Sequence, residues 1–302
     1  FIVVGLLANY FTLAYELSRP YVHYAILLAI IFMVLSERKL KNMLGALAII
    51  VLSGLFGVIT LGSSIISQQN ILFPILSGMF GISTIIISMK DKSRLPKQTD
   101  NENLKLSTRN ILKSILLGSV AGVIVGFLPA IGVSQAATMV QYLGGMGEAR
   151  SFLVSMSGIG TSNEIFSLLS LYLVGNPRSG ASVAISQILQ PTFNDILLFS
   201  GVIIFTAGIS SMLTLYLGKR IPKLMVRLDY TKLSLAILAG ITAMVFLVTG
   251  IAGLLVALTS TSIGLLCASI EAKRGNCMGV LLVPSLLFFS GLNPIVMSAL
   301  GL

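Results

Sequence analysis

Apolar residues run along this chain in long blocks, at 1–15, 21–35, 43–61, 71–89, 112–127, 152–174, 196–217, 233–250, 251–270 and 278–302, divided by short polar connections. About 20 consecutive apolar residues carry a helix across the hydrocarbon of a bilayer. The pattern therefore predicts an all-α fold, a polytopic transmembrane helical bundle of about ten hydrophobic segments. Glycine and proline interrupt the blocks between 118 and 194, which predicts broken or re-entrant helices there.

The charged residues give this bundle a direction. Of the 20 Lys and Arg, 17 fall in four connections: Arg38, Lys39 and Lys41; seven between positions 90 and 113; five between 219 and 232; and the pair Lys273 and Arg274. Connections rich in Lys and Arg stay on the cytoplasmic side. The uncharged connections at 62–70 and 249–251 then fall outside, as does the C-terminus. The stretch 90–110 is polar and of mixed charge, and reads as a cytoplasmic linker. It separates residues 1–89, four spans remaining from a first membrane half, from residues 111–302, a second half with the broken helices.

Composition excludes most other classes. The chain is 55% hydrophobic and 10% charged, with mean hydropathy +0.98, so the bilayer is its solvent and the cell membrane its place. A net charge of +10 spread over short connections, not gathered on one soluble face, speaks against nucleic acid. Cys267 and Cys277 lack metal-ligand spacing and define neither a zinc site nor a disulfide framework; packing is their expected role. The chain begins at Phe1 within an apolar run and reads as part of a longer one.

Polar residues at membrane depth are expensive and mark pathways for substrates and ions. Gly118, Gly122 and Gly126 recur every fourth residue, the spacing that lets two helices approach closely in lipid. After Phe127, Leu128-Pro129-Ala130-Ile131-Gly132 should end a helix, with Ser134 capping a new one from Gln135. Ser134, Thr138 and Gln141 share one face of it, which suits either a water-filled cavity or a polar helix seam. A second break is expected at Ser157-Gly158-Ile159-Gly160, followed by Thr161, Ser162, Asn163 and Glu164. Thr161 and Glu164 have capping-box spacing, and Glu164 is open to two readings, a cap or a carrier of the coupling ion. A third break is expected at Gly175-Asn176-Pro177-Arg178-Ser179-Gly180. There Arg178 either holds a carboxylate bidentately or anchors a helix end. Half-helix N-termini meeting near the midplane favour anions, and exposed carbonyls at the paired C-termini suit Na⁺.

These stretches resemble the large permease subunit of tripartite tricarboxylate transporters, particularly its archaeal branch. The segment from Gly126 to Gly132 is similar to that family's Gly-x-x-Pro-Gly-x-Gly loop, with Ala130 in place of a glycine. The stretches 158–172 and 176–181 are similar to a second conserved region, and 277–284 to a C-terminal span. The family's earlier Pro-Gly loop has no counterpart, so that half of the site is expected upstream of Phe1. The resemblance implies a secondary transporter that takes up di- or tricarboxylates on an ion gradient. It also implies a small membrane subunit and an extracytoplasmic solute-binding protein as partners, beside membrane lipid.

The expected substrate-binding residues are Pro129, Gly132, Ser134, Gln135, Thr138, Thr161, Ser162, Asn163, Arg178 and Ser179, with Glu164 as the ion-coupling group. No cofactor or metal is expected beyond Na⁺ or H⁺ as coupling ion. A lipid-linked or other phosphate is the alternative cargo. A membrane-embedded enzyme is a weaker alternative, because His23, Glu164 and Asp195 form no recognisable catalytic pattern.

Overall fold

The computed structural model describes residues 19–37, 39–90, 106–127, 132–144, 149–175, 177, 179–225 and 229–300, with Leu13 and Leu17. The apolar block at 1–15, apart from Leu13, and most of the linker at 90–110 lie outside the described residues. Among the described residues every regular element is helical: α1 (Val22–Leu35), α2 (Leu40–Gly62), α3 (Leu72–Lys90, with a π-helical stretch at Ser77–Ile82), α4 (Thr108–Phe127), α5 (Val133–Leu143), α6 (Ala149–Val174), α7 (Gly180–Ile188), α8 (Phe193–Met225), α9 (Tyr230–Ser269), α10 (Gly279–Phe289) and α11 (Asn293–Leu300). Five of these are long and apolar enough to cross a membrane, or six if the bent pair Arg274–Phe289 and Asn293–Ala299 counts as one span. The bundle is the polytopic all-α fold that the hydrophobic blocks predict.

Contacts divide the chain into two compact units, Phe1–Ala25 with Asp100–Leu217, and Ile26–Thr99 with Gly218–Leu302. In the second of these, α9 is 40 residues long, roughly 60 Å if straight, twice the hydrocarbon thickness. It is not straight. Gly250 has φ 66° and ψ −160°, a conformation open only to glycine. Ile241 approaches Gly81 while Ala257 and Ser260 press on Gly78, three residues away on α3. On a straight helix Ile241 and Ser260 would lie roughly 28 Å apart, so the chain reverses at Gly250. The sequence blocks 233–250 and 251–270 are thus separate legs of one hairpin.

The C-terminal block departs from a simple span. It runs from a 3₁₀ turn (Arg274–Met278) through α10, then bends by 115° into α11 with Gly291 at φ 75°. Pro284 sits inside α10 and lacks the N–H that would bond the Val280 carbonyl. That freed carbonyl faces α2 at Gly57, where a methyl would come within 2.1 Å of the oxygen.

The basic connections of this unit meet at one end. Glu37 is 7% exposed, and its Oε1 accepts from the Lys273 backbone N–H at 2.8 Å and from Asn276 Nδ2 at 3.0 Å. Lys273 Nζ donates to the Ser36 carbonyl at 2.5 Å and Arg274 to the Thr84 hydroxyl. At the other end of α2, Gly62 packs against Met297 of α11. Cys267 and Cys277 are buried in the apolar cluster with Ile49, Ile75, Met79 and Val280, the packing role expected of them.

Gly57→Ala should lower stability by about 1–3 kcal/mol through overpacking. Gly240→Ala, a helical site with nothing within 4 Å, should gain up to about 1 kcal/mol. Thermal unfolding of both variants in detergent checks this, and an unchanged midpoint for Gly57→Ala would contradict the close approach of α2 and α10.

Candidate functional site

The candidate residues fall in the unit built from Asp100–Leu217, whose frame is the pair α4 and α6. A methyl on Gly118 would lie 2.3 Å from the Ser155 carbonyl, one on Gly122 2.6 Å from the Ile159 carbonyl, and one on Gly126 2.7 Å from Phe166 Cβ. Positions rise together along both helices, so α4 and α6 run parallel in close backbone contact, the arrangement that small residues permit in lipid.

Between them in sequence, α5 runs the opposite way. Ala136 and Ala137 pack with Ala121, Val125 and Ile159, and Val133, Val140 and Phe152 pack against that cluster. At its far end Lys113 Nζ donates to the Gly144 carbonyl at 2.8 Å. With 11 residues, α5 is roughly 16 Å long, half a span. It begins at Val133, with the Gly132 carbonyl accepting from the Ala136 N–H at 3.1 Å. Ser134 and Gln135 therefore lie in its first turn, and Ser134 is not the cap that starts it. The antiparallel register sets this turn about one turn beyond Ile159, at the level of Ser162 and Asn163. Thr138 is half-buried on the same helix. Pro129 lies outside the described residues.

The expected break at Ser157–Gly160 does not occur, because α6 is helical without interruption from Ala149 to Val174. Gly158 borders the backbone of α4, so its lack of a side chain serves helix contact rather than unwinding. Thr161 consequently donates to the Ser157 carbonyl at 3.1 Å inside the helix, and Glu164, exposed and mid-helix, caps nothing. Ser162 has its Cβ against Gly122, and Asn163 is half-buried. The reciprocal pattern expected at Thr161 and Glu164 is found instead at Thr192 and Asp195. There Asp195 Oδ2 accepts from the Thr192 N–H at 2.8 Å and hydroxyl at 2.7 Å at the start of α8.

The break at 175–180 is present. Gly175, at φ 68°, follows the end of α6, and its N–H bonds the Leu171 carbonyl. Ser179 then caps α7 in a box with Ser182. Ser182 Oγ also lies 3.0 Å from Ser167 Oγ of α6, both side chains fully buried, so α7 folds back along the end of α6. The chain returns through residues 189–192, and Phe193 of α8 comes to Tyr172 with ring centroids 6.3 Å apart. Arg178 and Asn176 lie outside the described residues. Ser167 and Ser182 went unnoticed in the sequence. The available signal was a serine inside the apolar run 165–174, which at that depth requires a partner.

The structure thus brings the first turn of α5 to the level of Ser162 and Asn163 of α6, and the start of α7 beside Ser167 about one turn further on. Each short helix directs the positive end of its dipole into the unit, and at α7 the Ser182 N–H is held by Ser179 Oγ at 3.3 Å. Among the described residues no group of three His, Cys, Asp or Glu side chains could hold a metal ion.

Long apolar helices, a hairpin turned on glycine and half-length helices that start within a span define a multi-pass integral membrane protein. The chain belongs to the tripartite tricarboxylate transporter TctA family, whose model matches residues 1–279. It is 34% identical over 250 residues to an uncharacterized protein of Methanocaldococcus jannaschii, an alignment covering 80% of this chain and 60% of that protein. The chain therefore spans about 60% of the length of that curated relative. No solved structure matches it.

Ser182→Ala removes the acceptor of the Ser179 N–H and the partner of Ser167. The expected cost is about 1–2 kcal/mol, confined to α7. Amide exchange of Gly180–Ile188 should accelerate while α4 and α6 keep their protection; equal protection of α7 in both proteins would contradict the network.

Proposed function

We propose that this chain forms part of the permease of a secondary transporter that moves a small organic anion, a di- or tricarboxylate, with an ion gradient. Family membership supplies the class. The observation that carries the proposal is the pair of half-helices, α5 and α7, whose N-terminal turns lie beside the hydroxyl and amide side chains of α6. Broken helices around a midplane site are a common means of binding charged solutes in secondary transporters, since dipole ends replace the water an anion leaves behind.

In this reading the first turn of α5 and the segment ending at Ser179 hold the carboxylates, with Arg178 supplying the bidentate cation. Glu164 carries the coupling ion; its exposed place inside α6, without a capping role, leaves its charge to that task. A small membrane subunit and an extracytoplasmic solute-binding protein complete the assembly.

Uptake of labelled citrate into proteoliposomes holding the full-length parent tests the proposal, with succinate and a polyprenyl phosphate as comparators, under Na⁺ and pH gradients. Carboxylate uptake should be gradient-driven. Arg178→Ala should reduce it by a factor on the order of 100, the loss of a charge-assisted pair. Glu164→Gln should abolish the response to the gradient while leaving exchange between equal concentrations. If folded protein moves only the polyprenyl phosphate, the cargo is a lipid-linked phosphate and the carboxylate assignment fails.

A further inference from the structure

One flank of α4 is left open alongside α5. Arg109, Leu112, Lys113, Leu116, Leu117, Val120 and Ile124 recur on α4 at helical spacing and form one stripe. Its upper part opens into a cavity of about 390 Å³ between α4 and α5, floored by Ala121, Val125, Ala136 and Val140. Its lower part, at Arg109, Leu112 and Lys113, is an open depression continuous with it through Leu117. Leu116 is 65% exposed and Val120 59%.

The stripe is divided by chemistry. Two cations stand at one end, and every residue beyond them is apolar for roughly 16 Å, from Lys113 to Ile124. That is the depth of one leaflet of hydrocarbon, about 15 Å. An ammonium has three donors, and the Gly144 carbonyl takes one from Lys113. A purely apolar helix in the groove would leave both cations without an anion. The cytoplasmic leaflet, by contrast, supplies anionic phosphates at the level of the basic connection before α4.

We propose that this groove is a binding site for an anionic membrane phospholipid, distinct from the transported anion. One acyl chain lies between α4 and α5, and the headgroup phosphate lies on Arg109 and Lys113. The lipid closes the flank of α4 that α5 leaves open.

The test uses the absence of tryptophan from these 302 residues. Val120→Trp places a reporter in the groove of the full-length parent, with any native tryptophan changed to Phe. Phosphatidylglycerol with brominated chains should quench it at a mole fraction roughly tenfold lower than brominated phosphatidylcholine does. Adding Arg109→Gln and Lys113→Gln should remove that difference. Arg109→Gln alone, which keeps the Lys113–Gly144 bond, should remove part of it and keeps the test readable if the double change prevents folding. Equal quenching by both lipids would overturn the proposal in favour of unselective lipid contact. No quenching by either would overturn it in favour of a protein surface such as a second copy. Release of phosphatidylglycerol by glycerol phosphate at equal concentration would reduce the site to a free-anion site and also overturn it.

Discussion

A peptide carbonyl or N–H turned toward hydrocarbon finds no water to bond, and the helices of this chain are arranged around that restriction. Hydroxyls in the spans are turned inward onto their own helices: Thr60 to the Phe56 carbonyl, Thr249 to Val245 and Thr261 to Ala257. Where the helical ladder is broken, protein covers the gap. Pro284 frees the Val280 carbonyl, and Gly57 admits it to the surface of α2. The π-helical stretch of α3 follows the Pro74 carbonyl, which accepts from Ser260 of α9 at 3.3 Å. The end of α6 at Gly175 is sealed by the Leu171 carbonyl, and the start of α7 by two serines.

The same restriction explains the buried carboxylate of Glu37. A lone charge at 7% exposure would be costly, but its oxygen receives two donors from the connection that opens the final span. The carboxylate thereby occupies the N-terminal end of the 3₁₀ turn that leads into α10, where backbone N–H groups have no helical partner. It also joins two connections whose Lys and Arg content alone predicts one and the same side of the membrane. Charge distribution along the chain and hydrogen bonding across it thus agree.

Much of this was legible in the sequence, for reasons that vary with position. The spans follow from hydrophobic length alone. The break at 175–180 combines glycine and proline with a residue able to cap, and it exists; the one expected at Pro129 lies outside the described residues. The Ser157–Gly160 stretch contains the glycines without proline and remains helical, because in lipid a glycine is as readily a contact surface as a break. The spacing of Thr161 and Glu164 equally fits a cap and a helix interior; the reciprocal pairs occur instead at Ser179 with Ser182 and at Thr192 with Asp195. Glu37 was hidden because its partners lie more than 230 residues away, and local pattern reports only its basic neighbours. Ser167 and Ser182 were hidden for the same kind of reason, since a pairing between helices has no periodicity.

The short helix α5 links the candidate anion site to the lipid groove. A helix that begins inside a span brings its unpaired N–H groups to the level of Ser162 and Asn163, which a full-length helix would have carried to the membrane surface. Its partner α4 is a full 20 residues and carries Lys113 level with the end of α5 and Arg109 beyond it. The apolar stripe of α4 lies alongside α5, so the helix that gives the site its dipole end also forms one wall of the groove. A lipid in the groove would hold α5 against α4 from the side, and the position of its first turn would depend on that support.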